Sequence, residues 1–445
     1  MEMNLGFITL EGFMRRNDGN RKKLKFCFIA CGQFGGRQGD EFARLGHKVF
    51  ALNTSESDLA DLKVVDKENI LKLDGYNGAV KDIERGQAAV KDNREKVLGL
   101  LNNPDVVDAD FVFVIAGMGG GTGNAAAPIL LSNLSRVRKP FNGKPSFGAI
   151  VSVPGAWEKR GIKKNARWGL SHIDDLIKKN ACGSVTIIDN DKLFNMTEGI
   201  LSDTDTKLEW TDYGNSTLAA LLTEVAFLTS LPSSKTFDED ELLDVLSTPG
   251  YFSSGKCYIH EDDPMEVNSL TSLIAKSFRE SPTANDYDYE LDAVNGFVAV
   301  VHPKHKNPIV SDSEFRTLEE RFGRYIANAE KPHSGLIENS NWGTITSRGR
   351  VQEPETNKAI LYTGVVCSAL PERIARMLQE IDQEEQELEA KKSERKNKPS
   401  LDLSAFKTIA KTEVAATREP VNSDFDLFAE TGKANTADDD DNFKL

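Results

Sequence analysis

Five short runs in the first half of the chain are apolar at nearly every position: LKFCFIA, KVFALN, FVFVIA, FGAIVSV and SVTIID. A half-buried strand alternates apolar and polar residues. These runs do not alternate, and helix-like stretches separate them, so both faces of each strand must be covered. The pattern predicts an α/β fold with a mainly parallel sheet. In open sheets of this kind ligands gather beyond the carboxyl ends of the strands. Two glycine-rich loops stand at such ends, CGQFGGRQGDEF after the first run and AGMGGGTGN after the third.

With 445 residues the chain can bury a large core and has room for two or three globular units. Hydrophobic residues make up 39% and charged residues 28%, a globular balance rather than a membrane or wholly disordered one. The formal net charge of -14 argues against broad DNA binding by the body of the protein, so contact with DNA is expected to be local or to go through a partner. Cysteines number five, are scattered, and include no CxxC pair, which fits core thiols in a reducing, cytoplasmic setting. No run approaches membrane-spanning length.

Along the chain, residues 1–23 read as a polar extension and 24–210 as the first domain. Residues 211–231, TDYGNSTLAALLTEVAFLTSL, put apolar side chains on almost every side, as a helix buried between domains does. Residues 232–370, with NGFVAVVHP and KAILYTGVV, read as a second, smaller α/β or α+β domain. A helix is expected over 371–398, packed at its start through Ile374, Met377, Leu378 and Ile381 and projecting into solvent where it becomes charged. The tail 399–445 reads as disordered, either a solubilising segment or a short partner-binding peptide around Phe425, Leu427 and Phe428.

Glycine lets backbone N–H groups approach a ligand with no Cβ in the way, and helix starts favour anions. Two such loops side by side could grip a chain of phosphates. GxxxxGK[ST] is absent, which excludes a P-loop. The first loop breaks the GxGxxG order, and the second strand ends in Asn53-Thr54 rather than the acid that holds an adenosine ribose, which counts against an NAD-dependent oxidoreductase.

Gly119-Gly120-Gly121-Thr122-Gly123, followed by Ala126-Ala127-Pro128, resembles the GGGTG[ST]G signature of the tubulin/FtsZ superfamily, and Gly32-Gln33-Phe34-Gly35 is similar to the first nucleotide loop of tubulins. The resemblance continues in order through Asn53-Thr54, Gly78-Ala79, Pro154 with Glu158, and Asn190-Asp191-Lys192-Leu193. The long charged helix and extended tail look most like the TubZ type of plasmid and phage tubulins.

The resemblance implies that 24–210 binds GTP, with Gly32, Gln33, Phe34 and Gly119 to Asn124 (Gly119, Gly120, Gly121, Thr122, Gly123, Asn124) around the phosphates and Asn53 at the second loop. Gly78 and Ala79 would close over the γ-phosphate, Glu158 would approach the ribose, and Asn190 with Asn215 would read the guanine edge. For those two asparagines a turn role and a helix-start role remain open. Where the family has an aromatic over the base this chain has Thr211, with Trp210 or Tyr213 as substitutes; Arg160 and Lys163 are candidates for a displaced arginine. Mg²⁺ would come with the nucleotide, Gln33 being its possible protein contact.

The run Asp238-Glu239-Asp240-Glu241 reads either as an acidic helix start favoured by the macrodipole or, by resemblance, as the synergy loop whose Asp238 and Glu241 complete the GTPase site of the next subunit. The expectation is a GTP-dependent, filament-forming GTPase that segregates or positions plasmid or phage DNA. It would assemble head to tail with itself and reach DNA through a DNA-binding adaptor on the C-terminal region. An FtsZ-like division scaffold is the alternative.

Overall fold

A strand with no polar face is stable only between two covering layers, and the five apolar runs become strands of one sheet. The computed structural model describes residues 7–9, 24–198, 209–231, 233–235, 237–303, 308–339, 342–346, 349–352 and 357–397. Among them are strands β1 (Phe7–Thr9), β2 (Phe26–Cys31), β3 (Lys48–Asn53), β4 (Ile70–Lys72), β5 (Phe111–Gly117), β6 (Phe147–Val153) and β7 (Ser184–Asp189). The later strands are β8 (Ser233–Lys235), β9 (Gly250–His260), β10 (Ala293–His302), β11 (Pro332–Glu338), β12 (Thr344–Ile345), β13 (Arg350–Gln352) and β14 (Lys358–Cys367).

Eleven strands share a sheet in the order β4-β3-β2-β5-β6-β7-β9-β14-β10-β11-β8. From β4 to β9 every neighbouring pair is parallel. Beyond β9 the pairing turns antiparallel through β14 to β10, so the second half of the chain extends the same sheet with a different connectivity.

The period of two still governs these wholly buried strands. Phe26, Phe28 and Ala30 of β2 enter one core, and Cys27, Ile29 and Cys31 enter the other. On the first face Phe28 stacks between Phe42 at 3.8 Å and Phe113 at 5.3 Å. All five cysteines are buried and unbridged. Burial pushes the Cys27 thiol up to about 12, so it stays protonated and behaves as a core side chain.

The helix Trp210–Leu228 lies in the aromatic core, with Leu218, Leu221, Leu222, Val225, Phe227 and Leu228 all buried. Its apolar wrap conceals one charge. Glu224, fully buried, accepts from Lys256 Nζ at 2.9 and 2.7 Å, from Ile345 N at 2.6 Å and from the Tyr362 hydroxyl at 2.9 Å. The Ile345 contact fastens a second, three-stranded sheet, β1-β13-β12, to the central helix. Strand β1 comes from the stretch read as a polar extension and pairs Ile8 with Val351; a three-residue strand supported only by distant partners leaves no periodicity to read.

The helix Glu372–Asn397 buries Ile374, Met377 and Ile381, as its pattern indicated. Charged pairs extend the docked part beyond the apolar stripe. Glu384 pairs with Arg160 at 2.6 Å, Glu385 with Lys164 at 2.6 Å, and Asp382 with Arg167, so the helix lies along the helix Arg160–Lys178 as far as Glu385, and residues 386–393 beyond it are exposed. The complementary basic face is some two hundred residues away in sequence, where local periodicity cannot register it. The 399–445 tail lies outside the described residues. Among the described residues no helix is long and apolar enough to cross a membrane.

Removal of the Glu224 carboxylate would leave an ammonium, a hydroxyl and a backbone N–H facing the core without their acceptor. Glu224→Ala is therefore expected to lose about 3–5 kcal/mol in urea unfolding. A loss under about 1 kcal/mol would show that the pocket repacks or wets instead.

Candidate functional site

The carboxyl ends of β2, β3, β5, β6 and β7 open into one cavity of about 590 Å³. Its floor is the pair of glycine loops. The first passes directly into the helix Gly32–Arg44 and the second into the helix Thr122–Val137, so two helix N-termini with unpaired N–H groups converge on the same space. The loops also touch each other. Gly32 sits at φ +72, and a Cβ there would fall 2.9 Å from Gly123 N; a Cβ on Gly123 would fall 2.5 Å from Cys31 O. The hydroxyls of Thr54 and Thr122 meet at 2.7 Å and tie the end of β3 to the same corner.

A third segment, Gly78 to Asp82, roofs the glycine loops. A Cβ on Gly121 would stand 2.7 Å from Asp82 O and 2.9 Å from Asp82 N. Val80 and Lys81 both hold positive φ, 52° and 60°, a strained state for a β-branched residue that is concentrated at this corner. Asn165 Nδ2 donates to Lys81 O at 2.8 Å and steadies the segment.

The opposite wall is built differently. Pro154 and Glu158 follow β6, Asn190 and Leu193 follow β7, and Trp210, Thr211 and Asn215 come from the start of the central helix. Asn190 Nδ2 donates to Glu158 Oε1 at 3.3 Å, which joins the two loops across the wall. Asn215 contributes its backbone carbonyl to Gln38 Nε2 at 3.0 Å while lining the cavity. Trp210 stands edge-on to Trp157 at 6.3 Å, and Trp157 packs on Phe194 at 4.9 Å, an aromatic cluster at the rim.

Gly32, Gln33, Phe34, Asn53, Gly78, Ala79, Gly119, Gly120, Gly121, Thr122, Gly123, Glu158, Asn190 and Asn215 all line this cavity. Asn124 does not. It is fully buried behind the loop, where Nδ2 donates to Met118 O and Asn165 O, each at 2.7 Å. Its position past the first helical residues turns its side chain into the protein, and it braces the glycine loop from behind. Of the aromatic substitutes, Trp210 lines the cavity and Tyr213 does not. Neither basic candidate reaches it: Arg160 is engaged with Glu384, and Lys163 donates to Ala156 O at 2.5 Å. The cations that do line it, Arg37 and Lys81, were missed. Arg37 lies one helical turn beyond Gln33, and that spacing was the available signal.

Asp238 and Glu241 lie outside the cavity and form a capping box at the start of the helix Glu239–Ser247. Glu241 N donates to Asp238 Oδ1 at 3.0 Å, and Asp238 N donates to Glu241 Oε2 at 3.0 Å. In the same helix Asp244 meets Lys144 at 2.7 Å, just upstream of β6. The cavity lies beyond the other end of β6, so the acids occupy the opposite pole, about 20 Å away.

Among the described residues no group of three or more His, Cys, Asp or Glu side chains is set to hold a metal. The oxygens at the cavity, including those of Gln33, Thr54, Asp58 and Thr122, are hard donors. That suits Mg²⁺ carried mainly by phosphates and water.

Residues 25–198 match the family model described as tubulin/FtsZ family, GTPase domain. Residues 224–379 match the C-terminal domain of tubulin/FtsZ-like, TubZ-like proteins. The tubulin-like protein TubZ of Bacillus cereus is 24% identical over 404 residues, covering 86% of this chain and 88% of that one. Among solved structures, a GTPγS-form protofilament of Bacillus thuringiensis serovar israelensis TubZ aligns with a TM-score of 0.65 at 21% identity, over 84% of this chain and 96% of that chain. A structure of type III plasmid segregation TubZ gives 0.63 at 20% identity, over 83% and 95%. At these identities the structural likeness speaks for the fold.

An alanine at Gly121 would press on backbone rather than on a movable side chain. Gly121→Ala is expected to cost about 1–3 kcal/mol in unfolding without any ligand. Gly120, whose Cβ would meet nothing nearer than Gly117 O at 3.6 Å, is expected to accept alanine within about 0.5 kcal/mol. Equal losses at the two sites would contradict this geometry.

Proposed function

Because the chain belongs to the tubulin/FtsZ family, with that family's GTPase domain followed by a TubZ-like C-terminal domain, we propose that it is a GTP-dependent filament former that hydrolyses GTP at the head-to-tail contact between subunits. The observation that carries this reading is the separation of the two poles. The glycine-lined cavity stands at one end of the parallel strands, and Asp238 and Glu241 stand beyond the other.

In this reading the N–H groups of both glycine loops hold the phosphates, Gly78 and Ala79 close over the γ-phosphate, and Arg37 and Lys81 add positive charge at the rim. Glu158 meets the ribose, Asn190 and Asn215 face the guanine edge, and Trp210 supplies the aromatic contact. Mg²⁺ bound with the nucleotide neutralises phosphate charge during transfer. One subunit binds the nucleotide and its neighbour orients the attacking water through Glu241, with Asp238 beside it. A contact that pairs one pole with the other does not close on itself, so it propagates as a filament.

The reported protofilament form of a TubZ supports the polymer, and the TubZ described for type III plasmid segregation supports a role in segregating or positioning plasmid or phage DNA. The TubZ-like C-terminal domain favours this over an FtsZ-like division scaffold. An acidic body suits attachment to DNA through a DNA-binding adaptor gripping the C-terminal region, which includes a lysine-rich stretch between Lys391 and Arg418.

Purified protein with Mg²⁺ and GTP, followed by light scattering and phosphate release together, tests the reading. Turnover should switch on with scattering above a critical concentration. Glu241→Ala should still bind GTP and polymerise while its turnover falls about a hundredfold or more. Turnover proportional to protein with no scattering would remove the filament from the account. A chain ending at residue 398 should keep turnover and lose the adaptor; retained adaptor binding would place that contact elsewhere.

A further inference from the structure

One guanidinium just behind the cavity holds together the wall that carries Glu158 and Asn190. Arg373, in the first turn of the C-terminal helix, donates through Nε and Nη2 to both oxygens of Asp189, each at 2.5 Å. Its Nη1 lies 2.8 Å from Asp191 Oδ2, and Nη2 also reaches Pro154 O at 3.4 Å. Asp189 is buried at the end of β7 and caps the next helix by accepting from Asp191 N at 2.9 Å. Asp191 in turn accepts from Ala156 N at 2.8 Å. Thus the end of β7, the first turn of the helix Asn190–Thr197 and the loop after β6 converge on one side chain that does not itself line the cavity.

Arg373 is itself fixed from behind. Its backbone N donates to Asp286 Oδ2 at 2.6 Å and that of Glu372 to Asp286 O at 2.8 Å, while the ion pairs to Arg160, Lys164 and Arg167 hold the helix again at residues 382–385. A planar, five-donor fork suits this three-way junction in a way that a lysine ammonium does not.

We propose that Arg373 is a positioning residue for nucleoside recognition: it sets Asn190 and Glu158 in place, and through it the docking of the C-terminal helix is coupled to the nucleoside half of the cavity but not to its phosphate half. This rests on the GTP reading of the cavity. Coupling of this kind is reciprocal, so nucleotide binding also strengthens helix docking, and a partner that lifts the helix weakens nucleotide binding.

The test uses the full chain below the concentration at which it scatters, with Mg²⁺, and measures binding of GTP and of inorganic tripolyphosphate by calorimetry. Arg373→Ala should weaken GTP about tenfold and leave tripolyphosphate unchanged. Arg373→Lys should fall between it and the parent, and Arg167→Ala, which removes ion pairs to Asp382 and Glu385 but leaves the first turn docked through Arg373 and Asp286, should bind both ligands as the parent does. In the parent chain, hydrogen exchange at residues 372–381 should slow when GTP is added and not when tripolyphosphate is added. Parallel loss of both ligands in Arg373→Ala would reduce the residue to a structural role, and unchanged GTP binding would overturn the proposal outright. Should Arg373→Ala fail to fold, Asp191→Asn removes one arm of the junction and must still lower GTP affinity selectively. A parent chain that binds tripolyphosphate but not GTP would instead defeat the GTP reading itself.

Discussion

The close approach of the β2 and β5 loops is the constraint on which the rest of the molecule depends. These strands are parallel neighbours, so their following loops emerge side by side, and each runs at once into a helix. The backbone of one loop rests against the backbone of the other at Gly32 and Gly123, with no room for a side chain between them. Two sets of unpaired N–H groups are thereby aimed into one space, which is what a polyphosphate requires and what one loop alone provides poorly. The strained Gly78 to Asp82 segment and the Thr54–Thr122 hydroxyl contact both form around that corner.

The same parallel arrangement gives the subunit two unlike ends. Strand carboxyl ends form the cavity, and strand beginnings carry the helix Glu239–Ser247 with its acids. In one subunit those acids cap their own helix. Stabilisation of a helix start and a proposed service to a neighbour are compatible uses of one pair, because Glu241 stays partly exposed while Oε2 accepts from Asp238 N and Oε1 meets His333 Nδ1 at 3.4 Å. The proposed division of labour follows from this geometry: binding groups and water-orienting groups lie too far apart to act within a single chain.

Reach in sequence separates what could be read in advance from what could not. The apolar runs were legible because a strand buried on both faces is apolar whatever covers it, and the glycine loops because contiguous glycines leave few alternatives. Arg37 is legible too, since it lies one helical turn beyond Gln33. Arg373, Glu224 and the basic face of the helix Arg160–Lys178 were hidden because each matters through partners far beyond the reach of local periodicity. Asn124 stood inside the signature and still turned inward, since a motif constrains backbone more tightly than side-chain direction.

The sequence alone therefore determined the α/β class, the parallel central strands, the greasy helix and the place of the phosphate-type loops, all of which depend on local periodicity and backbone sterics. Tertiary structure alone decided that Glu224 could be charged in an apolar helix, that charged pairs would dock the last helix on a basic partner as far as Glu385, and that its first turn would hold one wall of the cavity. Those outcomes rest on ion pairs and hydrogen bonds whose energy exists only once distant segments meet, and a linear pattern carries no record of such meetings.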